Sequence, residues 1–404
     1  MADASDSSIT YEDPATELAS VMDGRTSGDR HGGVNTPIEL SVSFSVMKPE
    51  TLGRMYSGEG GPARDLFLYS RHYNPSVLNL GRQLAALEGT EAAYCTSSGM
   101  SICHLLGPAT AGTHALIANF LPKSSNINTT FVDIRDLEEV KKAIVEGHTK
   151  VLYFESISNP TLTVADIPKL SKIAHDKGVK VVVDNAFSPM VLSPARLGAD
   201  VVVQGLSKYV SGEGDVLAGA ICGAESLVNS MMDLHQGALM LLGPTMNAMV
   251  AFNLSQRIPH MGLRIKEQCQ RALVFAERMK KMGFKVIYLG LEDHPDHQLL
   301  KKMVNKEYGY GGILCLDMET EERANKLMDV LQNDAKFGLM AVSFGYYDTL
   351  MCCPSSSTSS QLSEAKRMSA SISPGLVRMS LGYTGTLEKR WGQFEMAARP
   401  FLKA

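Results

Sequence analysis

The sequence predicts an α/β fold, a mostly parallel sheet covered by helices, with a smaller α+β unit at its C-terminal end. Three observations predict it. Residues 149–156 (TKVLYFES), 179–185 (VKVVVDN) and 199–205 (ADVVVQG) are short apolar runs without the polar alternation of a half-exposed strand. Between the first two lies a helical segment, 166–178 (DIPKLSKIAHDKG), with an acidic start and a glycine stop. Beyond residue 262 a long basic amphipathic helix gives way to short strand-like and helical segments.

The elements follow in chain order. Residues 1–35 read as a flexible entry arm, and 36–75 as loop more than regular structure, with GEGGPA as the breaker. Residues 1–75 therefore read as an N-terminal arm. A helical pattern starts near Val77, through Leu78, Leu80, Leu84 and Leu87, and leads to the small polar run CTSSGMS at 95–101. The strand–helix alternation that follows assigns 76–262 to an α/β domain. Residues 263–404 form the α+β domain: the helix from 263 to 282, then GGILCLDME, EERANKLMDVLQ and MAVSFGYY, with a polar loop at 354–363.

Composition excludes several classes. Hydrophobic residues at 44% and charged residues at 20% are ordinary for a globular chain and exclude disorder. A net charge of −4 leaves no basic surplus for nucleic-acid phosphates. No run approaches the ~20 apolar residues of a membrane span. The seven cysteines are scattered and read as free thiols of a reducing compartment. The acidic, polar N-terminus matches no targeting pattern, so a cytoplasmic location is expected. No GxGxxG follows an early strand, which disfavours a nicotinamide dehydrogenase. His294 and His297 lie in a loop-like EDHPDH segment and read as solvated surface, with no zinc set and no metal expected.

The chemistry sits at strand ends, where open α/β sheets bind ligands. VVVD ends in Asp184, and VVVQGLSK places Lys208 just past the next strand. Singly, Asp184 reads as a loop cap and Lys208 as a surface lysine. Together, with Ser207 before the lysine and SGEGD after it, they suit pyridoxal 5′-phosphate. A lysine takes its aldehyde as a Schiff base, and a carboxylate keeps its pyridine nitrogen protonated so that the ring is an electron sink. SSGM at 97–100 has the small residues of a phosphate cup, alone a weak signal.

With these residues in view, the chain resembles the Cys/Met-metabolism (trans-sulfuration) family of pyridoxal-phosphate enzymes, and within it the methionine gamma-lyase branch. The resemblance rests on YSRHYNPSVLNLGRQLAALEGTEAAYCTSSGMS (69–101), VLYFESISNPTLTVADIP (151–168), VVVDNAFSPMVLSPARLGADVVVQGLSKY (181–209) and SPGLVRMSLGY (373–383). It implies the aminotransferase-like fold type I. It implies Lys208 as the Schiff-base lysine and proton shuttle, and Asp184 as the partner of the pyridine nitrogen. Gly99, Met100 and Ser207 would hold the phosphate, and Asn159 the ring oxygen. Tyr69 and Arg71 would reach the neighbouring subunit's phosphate in a homodimer or homotetramer, which makes 1–75 a dimer-contact segment as well as an arm. Arg378 would clamp the α-carboxylate with Ser343 nearby, a task for a planar bidentate donor.

The implied reaction is carbon–sulfur cleavage of L-methionine to 2-oxobutyrate, ammonia and methanethiol. Other family chemistry stays open: γ-replacement as in cystathionine synthesis, β-elimination from cysteine conjugates, or a new bond-forming reaction. A catalytically impaired homologue is the reading from a different class. Two departures bear on the choice. The link from the phosphate cup at 102–111 (ICHLLGPATA) is shorter than in relatives by about 14 residues, enough for a crossover element. With it go a sheet strand and the tyrosine that stacks on the cofactor. Gly205 stands where relatives have a phosphate-binding serine, a loss of ~1.5–3 kcal/mol for a hydrogen bond to a charged group.

Overall fold

The structure is a computed structural model that describes residues 13–21, 35–59, 61, 66–101, 114–360, 363–364, 367 and 370–402. The three apolar runs are strands: β2 (Val151–Glu155), β3 (Lys180–Asp184) and β4 (Val201–Gly205). They pair in parallel, with Val182 opposite Val201 and Glu155 opposite Asp184. β1 (Ala92–Thr96) and β5 (Gly219–Gly223) complete a five-stranded sheet of order β1-β5-β4-β3-β2, in which β5 alone runs antiparallel to its neighbours.

The lack of polar alternation has its cause in burial on both faces. Leu152, Phe154, Val181, Val183, Val202 and Cys222 pack into the main core with Leu80, Leu84, Leu170 and Leu254 of the covering helices. Val182, Val201, Val203 and Ile221 point the other way, against Tyr94, Tyr73, Val228 and Met232. The helix between β2 and β3 spans Ile167–His175, capped by the Asp166 carboxylate on the Lys169 N–H. Gly178 follows in the left-handed region, φ 69°, where a side chain would be strained. Helix Pro75–Glu88 is capped by Asn74 and turns into β1 through Gly89.

The long basic helix spans Met261–Lys281. A second sheet has the order β6-β7-β10-β9-β8, from β6 (Lys285–Ile287), β7 (Ile313–Asp317), β8 (Leu339–Met340), β9 (Leu350–Cys352) and β10 (Leu376–Ser380). Its ladders are antiparallel except β8–β9. It shares a core with helices Met261–Lys281 and Leu387–Ala398, centred on Phe275, Phe337, Trp391 and Phe394.

Three expectations change. The entry arm is not wholly free: Pro14–Val21 is a helix, docked by Leu18 in the core, an Asp13–Tyr308 bond of 2.6 Å and a Glu17–Arg196 pair at 2.5 Å. Of MAVSFGYY only Met340 is strand, because β8 ends there and the segment that follows is irregular. His297 is not solvated: it is 3% exposed and its Nδ1 bonds the Leu289 carbonyl at 2.8 Å, while His294 is half-buried and burial lowers its pKa. The shortened link, 102–111, lies outside the described residues. Among those described, the ladders from β1 to β2 run unbroken, with β2 at the margin.

Candidate functional site

β3 and β4 deliver the two strand-end groups side by side. Asp184 closes β3. Its Oδ2 accepts the Tyr153 phenol at 3.1 Å, and its Oδ1 accepts the Ala186 N–H at 2.9 Å. Burial nonetheless raises its pKa against both bonds. Lys208 lies one turn past the end of β4, where its backbone N–H reaches the Gly205 carbonyl. Its Nζ donates to Ser343 Oγ at 3.0 Å and sits 5.1 Å from the centre of the Phe344 ring. Burial, then the charge of Arg378, lowers the lysine's pKa. An amine so placed gives up its proton more readily than one in water.

Arg378 enters from the other sheet, on β10, and is 1% exposed. Nη1 donates to Asn159 Oδ1 at 3.0 Å; Nη2 donates to the carbonyls of Val342 and Ser343 at 3.2 and 2.9 Å. Its Nε is buried without a partner. A guanidinium held on one edge with an idle N–H on the other is what an arriving carboxylate satisfies. Asn159 thus turns its Oδ1 to Arg378.

The phosphate-cup residues meet at glycines. Gly99 opens a turn after β1, with the Ser98 hydroxyl accepting the Ser101 N–H at 3.2 Å. A Cβ on Gly99 would lie 3.5 Å from Gly205 Cα, and one on Gly219 only 2.5 Å from the Gly99 nitrogen. Ser207 Oγ, beside them, accepts the Ala218 N–H at 2.9 Å. Gly205, the departure from the family serine, faces Ala186: a Cβ there would come within 3.1 Å of the alanine's own. The Gly205 and Ala186 positions are thus matched to each other. Met100 follows Gly99 and is 43% exposed.

Tyr69 and Arg71 stand apart from this cluster. Arg71 packs 5.6 Å from the Tyr69 ring centre and donates to the Met240 carbonyl at 3.1 Å. Tyr69 is 38% exposed and bridges to Ser43.

Three side chains at the centre were not singled out from sequence. Phe344 touches both cations, 5.6 Å from Arg378, and stacks edge-on to Phe187 at 5.2 Å. Tyr153 and Glu155 share a face of β2 with Asp184 opposite. Glu155 has its pKa pushed up to about 8, by burial first and then by the Asp184 charge. The signal for it was available, since VLYFE ends in an acid just as VVVD does.

The set fits pyridoxal phosphate. An amine of lowered basicity suits the aldehyde, a carboxylate between two donors suits a ring nitrogen, and a side-chain-free wedge of glycines suits a phosphate.

Comparison with known proteins agrees. The family model described as Cys/Met metabolism PLP-dependent enzyme matches residues 17–386. The methionine gamma-lyase of Arabidopsis thaliana is 62% identical over 95% of this chain and 90% of its own length. An L-methionine gamma-lyase of Fusobacterium nucleatum is 32% identical over 87% of this chain and 90% of its own length. Among solved structures, a Campylobacter jejuni protein described as an O-acetylhomoserine (thiol)-lyase superposes with TM-score 0.83 at 26% identity, over 94% of this chain and 99% of that one. That structure contains a pyridoxyl-lysine monophosphate. The fold, the strand-end lysine and carboxylate, and a match spanning most of the sequence agree: the chain belongs to the Cys/Met-metabolism family of pyridoxal-phosphate-dependent enzymes.

Proposed function

We propose that the chain is a carbon–sulfur lyase that cleaves L-methionine to 2-oxobutyrate, ammonia and methanethiol. The observation that carries the reading is the Lys208–Ser343–Arg378 arrangement: a weakly basic amine bonded to the loop that also fixes the guanidinium. The similarity to methionine gamma-lyases supports the substrate. Pyridoxal phosphate, when bound, supplies the electron sink that makes α- and β-protons removable.

The chain's residues do the rest. Lys208 would hold the cofactor's aldehyde, and its Nζ, aimed by Ser343, would move the α- and β-protons of the substrate. Arg378 clamps the α-carboxylate with its idle Nε edge, oriented from behind by Asn159 Oδ1. Asp184 holds negative charge at the pyridine nitrogen. Gly99, Met100 and Ser207 hold the phosphate. Tyr69 and Arg71, bonded to neither Lys208 nor Arg378 among the described residues, reach the site of a neighbouring subunit in a dimer or a pair of dimers. With the division at residue 262, the cofactor sheet belongs to one domain and β10, which carries the clamp, to the other. No helix among the described residues is long and apolar enough to cross a membrane, and a cytoplasmic enzyme fits that. Retention of Lys208, Asp184 and Arg378 together weighs against an impaired homologue, since a decaying site has no reason to keep all three.

The test is spectroscopic and chemical. Purified protein with added pyridoxal phosphate shows the visible band of a lysine-bound cofactor and releases 2-oxobutyrate from L-methionine. Lys208→Ala removes both. Keto-acid release that survives Lys208→Ala sinks the reading.

A further inference from the structure

We propose that Glu155 is a positioning residue of this site: a carboxylic acid that keeps its proton, braces the Asn159–Arg378 clamp, and leaves Asp184 the ionised member of the pair. The proposal rests on the reading of Lys208 and Asp184 as cofactor ligands.

The argument starts from register. β2 and β3 are parallel neighbours, about 4.8 Å apart. Glu155 lies directly opposite Asp184, so the two carboxyl groups leave the same face of the sheet at its carboxyl edge. Two like charges this close, both half-buried, cannot both ionise at little cost. The donors decide which one does. Asp184 has an N–H on one oxygen and a phenol on the other. Glu155 receives the Asn159 N–H on Oε2, at 3.2 Å. The better-solvated anion is Asp184, and the proton stays on Glu155.

Neutral Glu155 still has work to do. The N–H it accepts belongs to Asn159, whose Oδ1 holds Arg378 Nη1 at 3.0 Å. A chain of contacts thus runs from the carboxyl edge of β2 through the Asn159 backbone to the guanidinium on β10. Lost at Glu155, it loosens the carboxylate clamp on the far side of the site. The titratable and charged groups around the pair are Asp184 from β3, Tyr153 from β2 itself, and Arg378 from β10 across Asn159.

The experiment compares the cofactor-loaded wild type with Glu155→Ala and Glu155→Gln. It reads KM and kcat for L-methionine against pH, the visible band, and the melting temperature of the cofactor-free protein. Glu155→Ala should raise KM about 10-fold, the effect of one lost hydrogen bond, with a smaller change in kcat. Glu155→Gln should bring KM back toward the wild-type value at neutral pH, because its amide oxygen accepts the same N–H without charge. Above about pH 8, where the wild type gains a second carboxylate charge, the KM profiles of wild type and Gln variant should part. A Gln variant as impaired as the Ala variant overturns the proposal, because it shows the charge itself to be needed. So does an Ala variant with wild-type KM. If the Ala variant does not fold, as its melting shows, the Gln profile decides: superimposable on wild type at alkaline pH, it overturns the proposal. A wild type without the visible band overturns the cofactor reading instead.

Discussion

Arg378 shows how much one side chain is asked to do. It is the largest fully buried side chain among the described residues, fixed by an amide and two carbonyls, with Nε kept idle. Arg378→Lys keeps the charge and loses the fork. It should cost about 10- to 100-fold in kcat/KM for L-methionine, the range of a charge-assisted hydrogen bond, and appear mainly in KM. A variant with wild-type KM would remove Arg378 from substrate binding. Glu88 is a second buried acid, on the core side of the sheet, bonded by the Gln204 and Asn185 amides. Burial pushes its pKa up to about 7 from an ordinary 4.5. The folded state then holds a proton that the unfolded state releases. Its stabilising share is whole below pH 4.5 and is lost as pH rises to about 7. Relative to Glu88→Gln, the wild type should therefore lose stability across that window and level off above it, as urea midpoints at several pH values would record. A flat difference would mean that Glu88 is ionised in the fold. Lys208, Asp184 and Arg378 were legible because their roles fall on distinctive motifs. Phe344 was not, because an aromatic in an irregular segment has no meaning until the loop brings it to the site; Glu155 carried the same strand-end signal as Asp184, and only the register shows the two side by side.

The strands were read well from sequence because uninterrupted valine runs leave few alternatives. VKVVVDN and ADVVVQG contain β3 and β4, and TKVLYFES contains β2. The misread MAVSFGYY teaches more. Its apolar and aromatic residues look like a strand, yet Ser343 and Phe344 are spent on Lys208 and Arg378, and Gly345 takes a positive φ of 77°. An irregular backbone is how one segment presents a hydroxyl, a ring and two carbonyls to the same site. At β5 the element itself tests the phosphate cup. Gly219→Ala would drive a methyl to 2.5 Å from the Gly99 nitrogen. The expected result is pyridoxal-phosphate affinity weaker by about 10-fold or more, since overpacking costs ~1–3 kcal/mol, with the far-ultraviolet circular dichroism unchanged. Unaltered affinity would move the phosphate away from Gly99.

At the scale of the molecule, both sheets contribute to the site: Asp184 ends a strand of one and Lys208 follows its neighbour, while Arg378 lies on a strand of the other, and Ser343 bonds both Lys208 and Arg378. Tyr69 and Arg71 belong to neither. If they complete a neighbour's site, Arg71→Ala and Lys208→Ala should each be inactive alone and regain activity when co-expressed. A mixed pair contains one site with both residues intact. No recovery on mixing would mean that Arg71 serves its own subunit. The arm was read as mobile because its composition is polar. What ties residues 13–21 down is distant in sequence, Arg196 and Tyr308, and no local pattern announces it.

The place of β2 in the sheet has a consequence for how such a chain can vary. Asp184 ends β3 and Lys208 follows β4, strands with a paired neighbour on either side, and β2 is one of the two edge strands described. A chain that loses or gains length beyond β2 changes the border of the sheet while its middle keeps register. The price of such variation then falls on Tyr153 and Glu155, the pair on the border strand that touches Asp184 and Asn159. Descendants that differ at this margin should differ first in how finely the site is tuned, and only later in whether it holds its cofactor.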